Sequence, residues 1–535
     1  MNSERLLDGI SAQAVGFTWL REALEPAGIY GESQFRVLVP FVPGQEVQAR
    51  ERAARIFRIA SELDPAVLDE VRETARHVPD ASGAVARASM GDPLDDVSLL
   101  ELQRFFDACE RLDALTARCD ELPPTADEPM RACARALAAG RAGRFGFYLD
   151  ERFDASLAAS RETLARAQAE YDSARGRARA VVAAALDREI SLPEFIVMRD
   201  DLHVPLPPGV RVVRETPTYL LCELDADDAV LAALRRRDEA AAAVASTESA
   251  VRERLSATIR AHAAALDTAM RAFGEVDVLA AAARFAQQYR CTVAQVEPAG
   301  ILEIDGARFL PLEVELEREG RSFTPIDLHL DDMAVLTGPN MGGKSAALRA
   351  CGFAAVCVAF GIPVPAQRAR LGLFADVAWL GIGGDNESDG SLLSSFAREV
   401  VQLREVLARD ARPRLVLIDE FARTTTPREG KALVIATIER LRELGACGLV
   451  ATHLGGVAEA AGARHFAVRG LRGIPTAPAA ENLDRALEAL AASMDYTLEE
   501  VSSDRAREAD AIALASLLGI DARVIDAAYR AMEPE

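Results

Sequence analysis

Thr337-Gly338-Pro339-Asn340-Met341-Gly342-Gly343-Lys344-Ser345 reads TGPNMGGKS and stands between an apolar run, Met333-Ala334-Val335-Leu336, and a helix-like run, Ala346-Ala347-Leu348-Arg349-Ala350. The spacing Gly338-x-x-x-x-Gly343-Lys344-Ser345 satisfies a strand–loop–helix pattern for binding phosphate. Glycines let the main chain curl until its N–H groups face a phosphate. The start of the following helix adds positive partial charge. On this reading the loop from Gly338 to Ser345 cradles the phosphates of ATP. Lys344 reaches the outer two, and the Ser345 hydroxyl ligates Mg²⁺. Composition sharpens the expectation. Of 61 basic residues two are lysines, Lys344 and Lys431. A chain that otherwise uses arginine keeps an ammonium at the end of its glycine-rich loop.

Two further strand ends fit the same chemistry. Leu415-Val416-Leu417-Ile418-Asp419-Glu420 is an apolar run ending in two carboxylates. Asp419 is placed to hold the Mg²⁺ shell, and Glu420 to orient and deprotonate an attacking water. Gly448-Leu449-Val450-Ala451-Thr452-His453 is a third such run, and its His453 is placed to sense a terminal phosphate.

The chain of 535 residues is long enough for two to four domains, and half of it is hydrophobic, so it is globular. No apolar stretch approaches the roughly 18 residues of a membrane span. The start, MNSERLLDGISAQ, lacks an apolar signal core, which predicts a cytoplasmic protein. Eight scattered cysteines without a C-x-x-C pair predict reduced thiols. The net charge of −22 argues against a generally basic, nucleic-acid-binding surface, though it leaves a local patch open.

Apolar residues recur at helical spacing in Ala54–Ala60 and Leu99–Phe106. Residues 150–190 form a charged, alanine-rich helical run. Short β-like pieces follow at Phe195–Met198, Val210–Val213 and Tyr219–Cys222, punctuated by prolines. Val251, Leu255, Ile259, His262, Leu266 and Met270 then form one stripe, predicting a single helix of about 45 residues and roughly 70 Å. The expected fold class is α + α/β. A long-helix lever domain spans residues 1–290, with a small β insert at about 193–224. A P-loop domain with a mostly parallel sheet spans residues 291–535.

With these residues in hand, the chain resembles the MutS family of ABC-class ATPases. TGPNMGGKS is similar to the family's T-G-P-N-M-G-G-K-S-T, with Ala346 in place of the last threonine. Asp419-Glu420-Phe421-Ala422-Arg423-Thr424-Thr425-Thr426 resembles D-E-x-G-R-G-T-S, with Ala422 and Thr424 where the family has glycine. Thr452-His453 matches its T-H pair, and Ser394-Ser395-Phe396-Ala397-Arg398-Glu399 is similar to S-T-F-x-x-E. Phe323-Thr324-Pro325-Ile326-Asp327 resembles the segment that packs on adenine, which implies Phe323 and Ile326 as adenine contacts. Residues 513–520 look like the end of the ATPase domain. The resemblance implies a homodimer in which Ser394 and Ser395 of one subunit close on the nucleotide of the other. It also implies a divergent branch, since neither the family's Phe-x-Glu mismatch reader nor its small nuclease domain is recognisable. Ile326-Asp327-Leu328-His329-Leu330 echoes the nuclease's L-D-x-H-G and is read as a strand.

Two clients stay open. The family implies a clamp on DNA, recognising a DNA structure rather than a mismatch. The Asp419–Pro427 variant also resembles MutS-like ATPases thought to reactivate cobalamin-dependent aminomutases, which implies a protein client.

Overall fold

The apolar runs predicted as strands form the centre of a six-stranded sheet. In spatial order its strands are Asp376–Leu380, Arg414–Asp419, Ala446–Ala451, Met333–Thr337, Arg464–Leu471 and Met494–Glu500. The first five run parallel, and the last pairs antiparallel with its neighbour. Central strands of a parallel sheet are covered on both faces, which is why Leu415–Ile418 and Leu449–Ala451 are apolar without alternation and almost fully buried. The structure, a computed structural model, describes residues 1–3, 6–142, 146–192, 194–201, 205–298, 300–339, 342–381, 395–471, 493–501, 512, 515 and 520–532. The chain packs as two compact units. The first comprises Met1–His77, Leu112–Pro123 and Ala272–Glu535; the second comprises Val78–Arg111 and Pro124–Arg271.

This division differs from the expected boundary near residue 290. In the first unit the N-terminal residues complete the core around helix Lys344–Ala359, which is buried on nearly every side from Ala347 onward. The Val377 N–H donates to the Leu6 carbonyl at 2.9 Å, and the Trp379 N–H to Ser11 Oγ at 2.9 Å. Phe17 stacks on Phe360 with ring centroids 5.6 Å apart. Helical periodicity shows that residues 1–77 have an apolar face. It does not show which core covers that face. A second, four-stranded sheet has the order Gln295–Glu297, Arg368–Gly372, Leu302–Ala307, Ile326–Leu330. The Ile326–Leu330 stretch is a strand, as read from its sequence.

In the second unit the helices Ser156–Ala185 and Asp228–Ala261 pack side by side. Arg161 pairs with Glu248 at 2.8 Å and Arg236 with Glu170 at 3.2 Å, so the two run antiparallel. At 1.5 Å per residue, 30 and 34 residues span about 45 and 51 Å. The predicted continuous helix is instead interrupted at His262, whose φ of −115° ends one helix before Ala263–Gln288 begins. No proline or glycine marks this break in the sequence. The apolar stripe carries on through it, with Val251, Leu255, Ile259, Leu266 and Met270 all buried.

Between the paired helices lies a three-stranded antiparallel sheet of Glu194–Met198, Tyr219–Leu224 and Val210–Glu215, in that order. Phe195, Val197, Leu220 and Cys222 point into its small core with Val182 and Ile190. Their neighbours Ile196 and Met198 point outward and are exposed, as are Val212 and Val213.

Candidate functional site

Strand register gathers the predicted residues at one edge of the six-stranded sheet. Ala451 pairs with both Asp419 and Leu336, so three adjacent parallel strands end level with one another. Thr337, Asp419-Glu420 and Thr452-His453 therefore emerge side by side. Backbone bonds extend the alignment past the strands: Glu420 N–H donates to the Ala451 carbonyl and Thr452 N–H to the Leu336 carbonyl, each at 3.0 Å. In open α/β sheets ligands bind outside such carboxyl ends.

The loop leaving Met333–Thr337 turns into helix Lys344–Ala359 through Gly343, whose φ of 82° is left-handed and suits glycine. A side chain there would also press on the Tyr496 ring, 3.1 Å from the first added carbon. At Gly338 the same atom would lie 2.9 Å from the Val468 side chain. Both glycines thus let the loop pass beneath neighbouring strands. Asn340 and Met341 lie outside the described residues. Lys344 is buried, and its Nζ donates to the Gly338 and Pro339 carbonyls at 3.0 Å each. It also lies 3.6 Å from Glu420 Oε1. Burial holds its pKa below the ordinary lysine value, against the opposing pull of Glu420 and Asp419.

Asp419 is pushed the other way. Burial raises its carboxyl above the usual range, while a hydrogen bond with Ser345 lowers it. Its Oδ1 is buried and has no hydrogen-bond partner among the described residues. A half-satisfied buried carboxylate beside a serine hydroxyl is a suitable donor set for a hard divalent cation. Ser345 and Asp419 therefore fit Mg²⁺. When bound, the ion would supply positive charge against the phosphate oxygens.

The loop after Asp419 is strained. Glu420 and Ala422 have φ of 51° and 60°, both left-handed. The second lies where the resembling motif carries glycine, which adopts this conformation without penalty. The loop is held at two points. Ala422 N–H donates 2.8 Å to Glu399 Oε2, and Thr426 caps helix Pro427–Glu443 by accepting from the Glu429 N–H. Pro427 at the first helical position and the Thr426 hydroxyl donating to the Glu429 carboxylate at 2.7 Å reinforce this start.

Glu399 is nearly fully buried and its Oε1 has no partner among the described residues. Burial raises its pKa, opposed by the Ala422 N–H and by Arg423. A carboxyl raised on folding stabilises the fold fully below its unfolded value of 4.5 and loses that contribution as pH rises through the raised value. Glu399→Gln keeps an acceptor for Ala422 without a buried charge. We expect its thermal midpoint to exceed that of the wild type at pH 8, and the gap to close as pH falls towards 4.5. Glu399→Ala should lose roughly 1–3 kcal/mol at every pH, because the Ala422 N–H is left unpaired. Thermal melts of both variants across pH check this.

His453 is exposed at the end of its strand, and Thr452 Oγ1 fixes the turn by accepting from Leu454 N–H at 3.1 Å. Ser395 opens helix Ser395–Ala408, and Ser394 lies outside the described residues. Most of the 513–520 stretch also lies outside them. The two expected adenine contacts separate. Phe323 is half-buried, whereas Ile326 is buried in the four-stranded sheet opposite Ala307. Sequence reasoning missed Tyr496, whose ring lies against Gly343, and the tie from Glu399 to Ala422. Neither has a local signal: each depends on a contact with a distant segment of the chain.

A strand, a glycine-flanked loop leading into a helix that starts with a buried lysine, and two carboxylates at the end of the next strand but one are arranged as in P-loop nucleotide-binding domains. Residues 334–534 match the family model described as MutS domain V, a match that supports membership in the MutS family. It is 33% identical over 205 residues to Endonuclease MutS2 of Pelotomaculum thermopropionicum, covering 38% of this chain and 25% of that protein. A Clostridium botulinum (strain Loch Maree) protein of the same name is 31% identical over 212 residues, 37% of this chain and 25% of the relative. The Endonuclease MutS2 of an Anaeromyxobacter species is 29% identical over 442 residues, covering 78% of this chain and 53% of the relative. The chain thus spans between a quarter and about half of the curated relatives it matches. No helix among the described residues is long and apolar enough to cross a membrane.

Proposed function

We propose that this chain binds MgATP in the 337–345 loop and hydrolyses it to ADP and phosphate, working in the cytoplasm as a homodimeric clamp on DNA. The observation that carries the reading is the cluster of Lys344, Ser345, Asp419 and Glu420 at one sheet edge, with Lys344 Nζ 3.6 Å from Glu420. Main-chain N–H groups and Lys344 hold the triphosphate. Ser345 and Asp419 hold Mg²⁺. Glu420 orients a water and takes its proton, and His453 meets the terminal phosphate. Phe323 packs on adenine. Ser394 and Ser395 reach the partner's nucleotide, so the terminal phosphate bridges two subunits until hydrolysis removes it. The relatives named above, each called Endonuclease MutS2, favour DNA as the client.

One observation favours a protein client, such as an aminomutase awaiting reactivation. On the small sheet Arg199 is paired with Glu215 and Arg211 with Glu223, while Ile196, Met198, Val212 and Val213 stand exposed. Compensated cations beside apolar side chains suit a protein surface better than a phosphate backbone. ATP turnover measured with duplex DNA, branched DNA or candidate proteins at low and moderate salt decides between them. The clamp on DNA predicts stimulation by DNA that weakens with salt. Stimulation by a protein alone favours the second reading.

A further inference from the structure

A half-open cavity of about 790 Å³ lies in the first unit, away from the carboxyl edge of the sheet. One wall is the helix Glu46–Glu62. Its buried face is Ala49, Ala53, Ile56 and Ile59. A second face, with spacings of three and four, turns Gln48, Arg52, Arg55 and Arg58 towards the cavity. Leu38, Phe41, Val278 and Leu279 supply an apolar wall.

The three guanidinium groups are not equivalent. Arg55 pairs with Glu275 at 2.6 Å and donates to the Glu121 carbonyl at 2.7 Å. Arg58 forms a two-point pair with the Glu121 carboxylate. Arg52 has no hydrogen-bond or ion-pair partner among the described residues, and its Nε is buried. Its stem is fixed in place: a carbon added at Gly361 would come within 2.9 Å of both Arg52 Cδ and the Phe41 ring. The charge therefore sits, partly desolvated, at the edge of an apolar space with its stem packed against Gly361. Burial lowers the Arg52 pKa, and the nearby Arg55 adds to this against Glu275. Such a cation gains most from an anion that can accept two hydrogen bonds from its planar fork.

We propose that this cavity binds a small molecule with a carboxylate or phosphate head and an apolar body, with Arg52 as the counter-ion. The volume falls within the usual range of ligand sites, about 300–1,000 Å³. Leu38, Phe41 and Leu279 receive the body. The site also touches the far end of the phosphate-loop helix. Phe41 N–H donates 2.7 Å to the carbonyl of Ala359, the last residue of the helix that starts at Lys344. An occupant touching Phe41 is thus linked, through that hydrogen bond, to the helix end 15 residues, about 22 Å, from Lys344. The site does not depend on the nucleotide reading.

Titration calorimetry of the full chain with hexyl phosphate, hexanoate and hexylamine tests the proposal. At least one anion should bind with Kd below about 1 mM and the amine should not. The tighter of the two anions identifies the head group. Arg52→Met, which keeps the packed stem, should weaken binding roughly tenfold or more, with Arg52→Lys between it and the wild type. Lys344→Ala should leave the affinity unchanged, which separates this site from the phosphate loop. Hydrogen exchange on the wild-type protein gives a second readout: the anion should slow exchange across 46–62 and at the Phe41 amide. No binding by either anion, equal binding of the amine, or protection confined to 338–345 would overturn the proposal.

Discussion

Lys344→Ala is expected to lower ATP turnover by on the order of 10²–10³-fold and to weaken nucleotide binding with it, because a buried charge aimed at the phosphates is removed. The ammonium is nearly solvent-free and already holds the Gly338 and Pro339 carbonyls at 3.0 Å. Any anion entering the loop meets a desolvated cation, whose attraction is several times that of an exposed one. The substitution also takes a donor from both carbonyls, of which, among the described residues, only Pro339's keeps the Gly342 N–H at 3.0 Å, so the loop itself should loosen. Arginine is the natural control, since this chain uses it almost everywhere else. A planar guanidinium on a differently shaped stem cannot place a single point charge on the Gly338 and Pro339 carbonyls as the ammonium does, so Lys344→Arg should be nearly as poor as alanine. Equilibrium binding of a fluorescent ATP analogue and steady-state phosphate release measure the two effects separately. Turnover unchanged in both variants would remove Lys344 from the chemistry.

Glu420→Gln is expected to split binding from hydrolysis. The side chain keeps its shape and its place after Asp419 but can no longer take a proton. Turnover should fall by roughly 10²–10⁴-fold while ATP affinity changes little. Removing the carboxylate also removes the charge that lies 3.6 Å from Lys344 and 3.4 Å from Arg423. Lys344 is then more available to phosphate, so affinity should be equal or slightly higher. If the terminal phosphate joins two subunits, this variant with MgATP should sediment as a dimer that persists for as long as ATP is uncleaved. A monomer under those conditions counts against the clamp, and normal turnover counts against Glu420 as the base.

The meeting of Lys344, Ser345, Asp419, Glu420 and His453 at one sheet edge was legible because these residues stand in short, contiguous stretches. Backbone geometry at TGPNMGGKS depends on glycine and on one helix start, both local. Parallel strands covered on both faces read as unbroken apolar runs, so Leu415–Ile418 and Gly448–Ala451 could be placed with the carboxylates and the histidine at their ends. The small sheet at 194–224 was legible for the same reason, from β-branched runs divided by prolines. What failed was whatever depends on distant partners. Residues 1–77 share the periodicity of any amphipathic helix, and only tertiary contacts such as Val377 to Leu6 assign them to the first unit. The break at His262 carries no breaker residue. Ile326 sits in a motif that suggests a ligand contact, yet strand alternation turns it into the core. Ala422 was visible as a departure from glycine, but its cost appears only with the φ of 60° at that position.

Release of phosphate from ATP by the purified full chain, with and without magnesium, tests the central claim most directly. The account predicts nucleotide retained on the protein and cleaved in the presence of Mg²⁺, with cleavage lost on chelation. Protein that neither retains nor cleaves ATP when magnesium is supplied would contradict it.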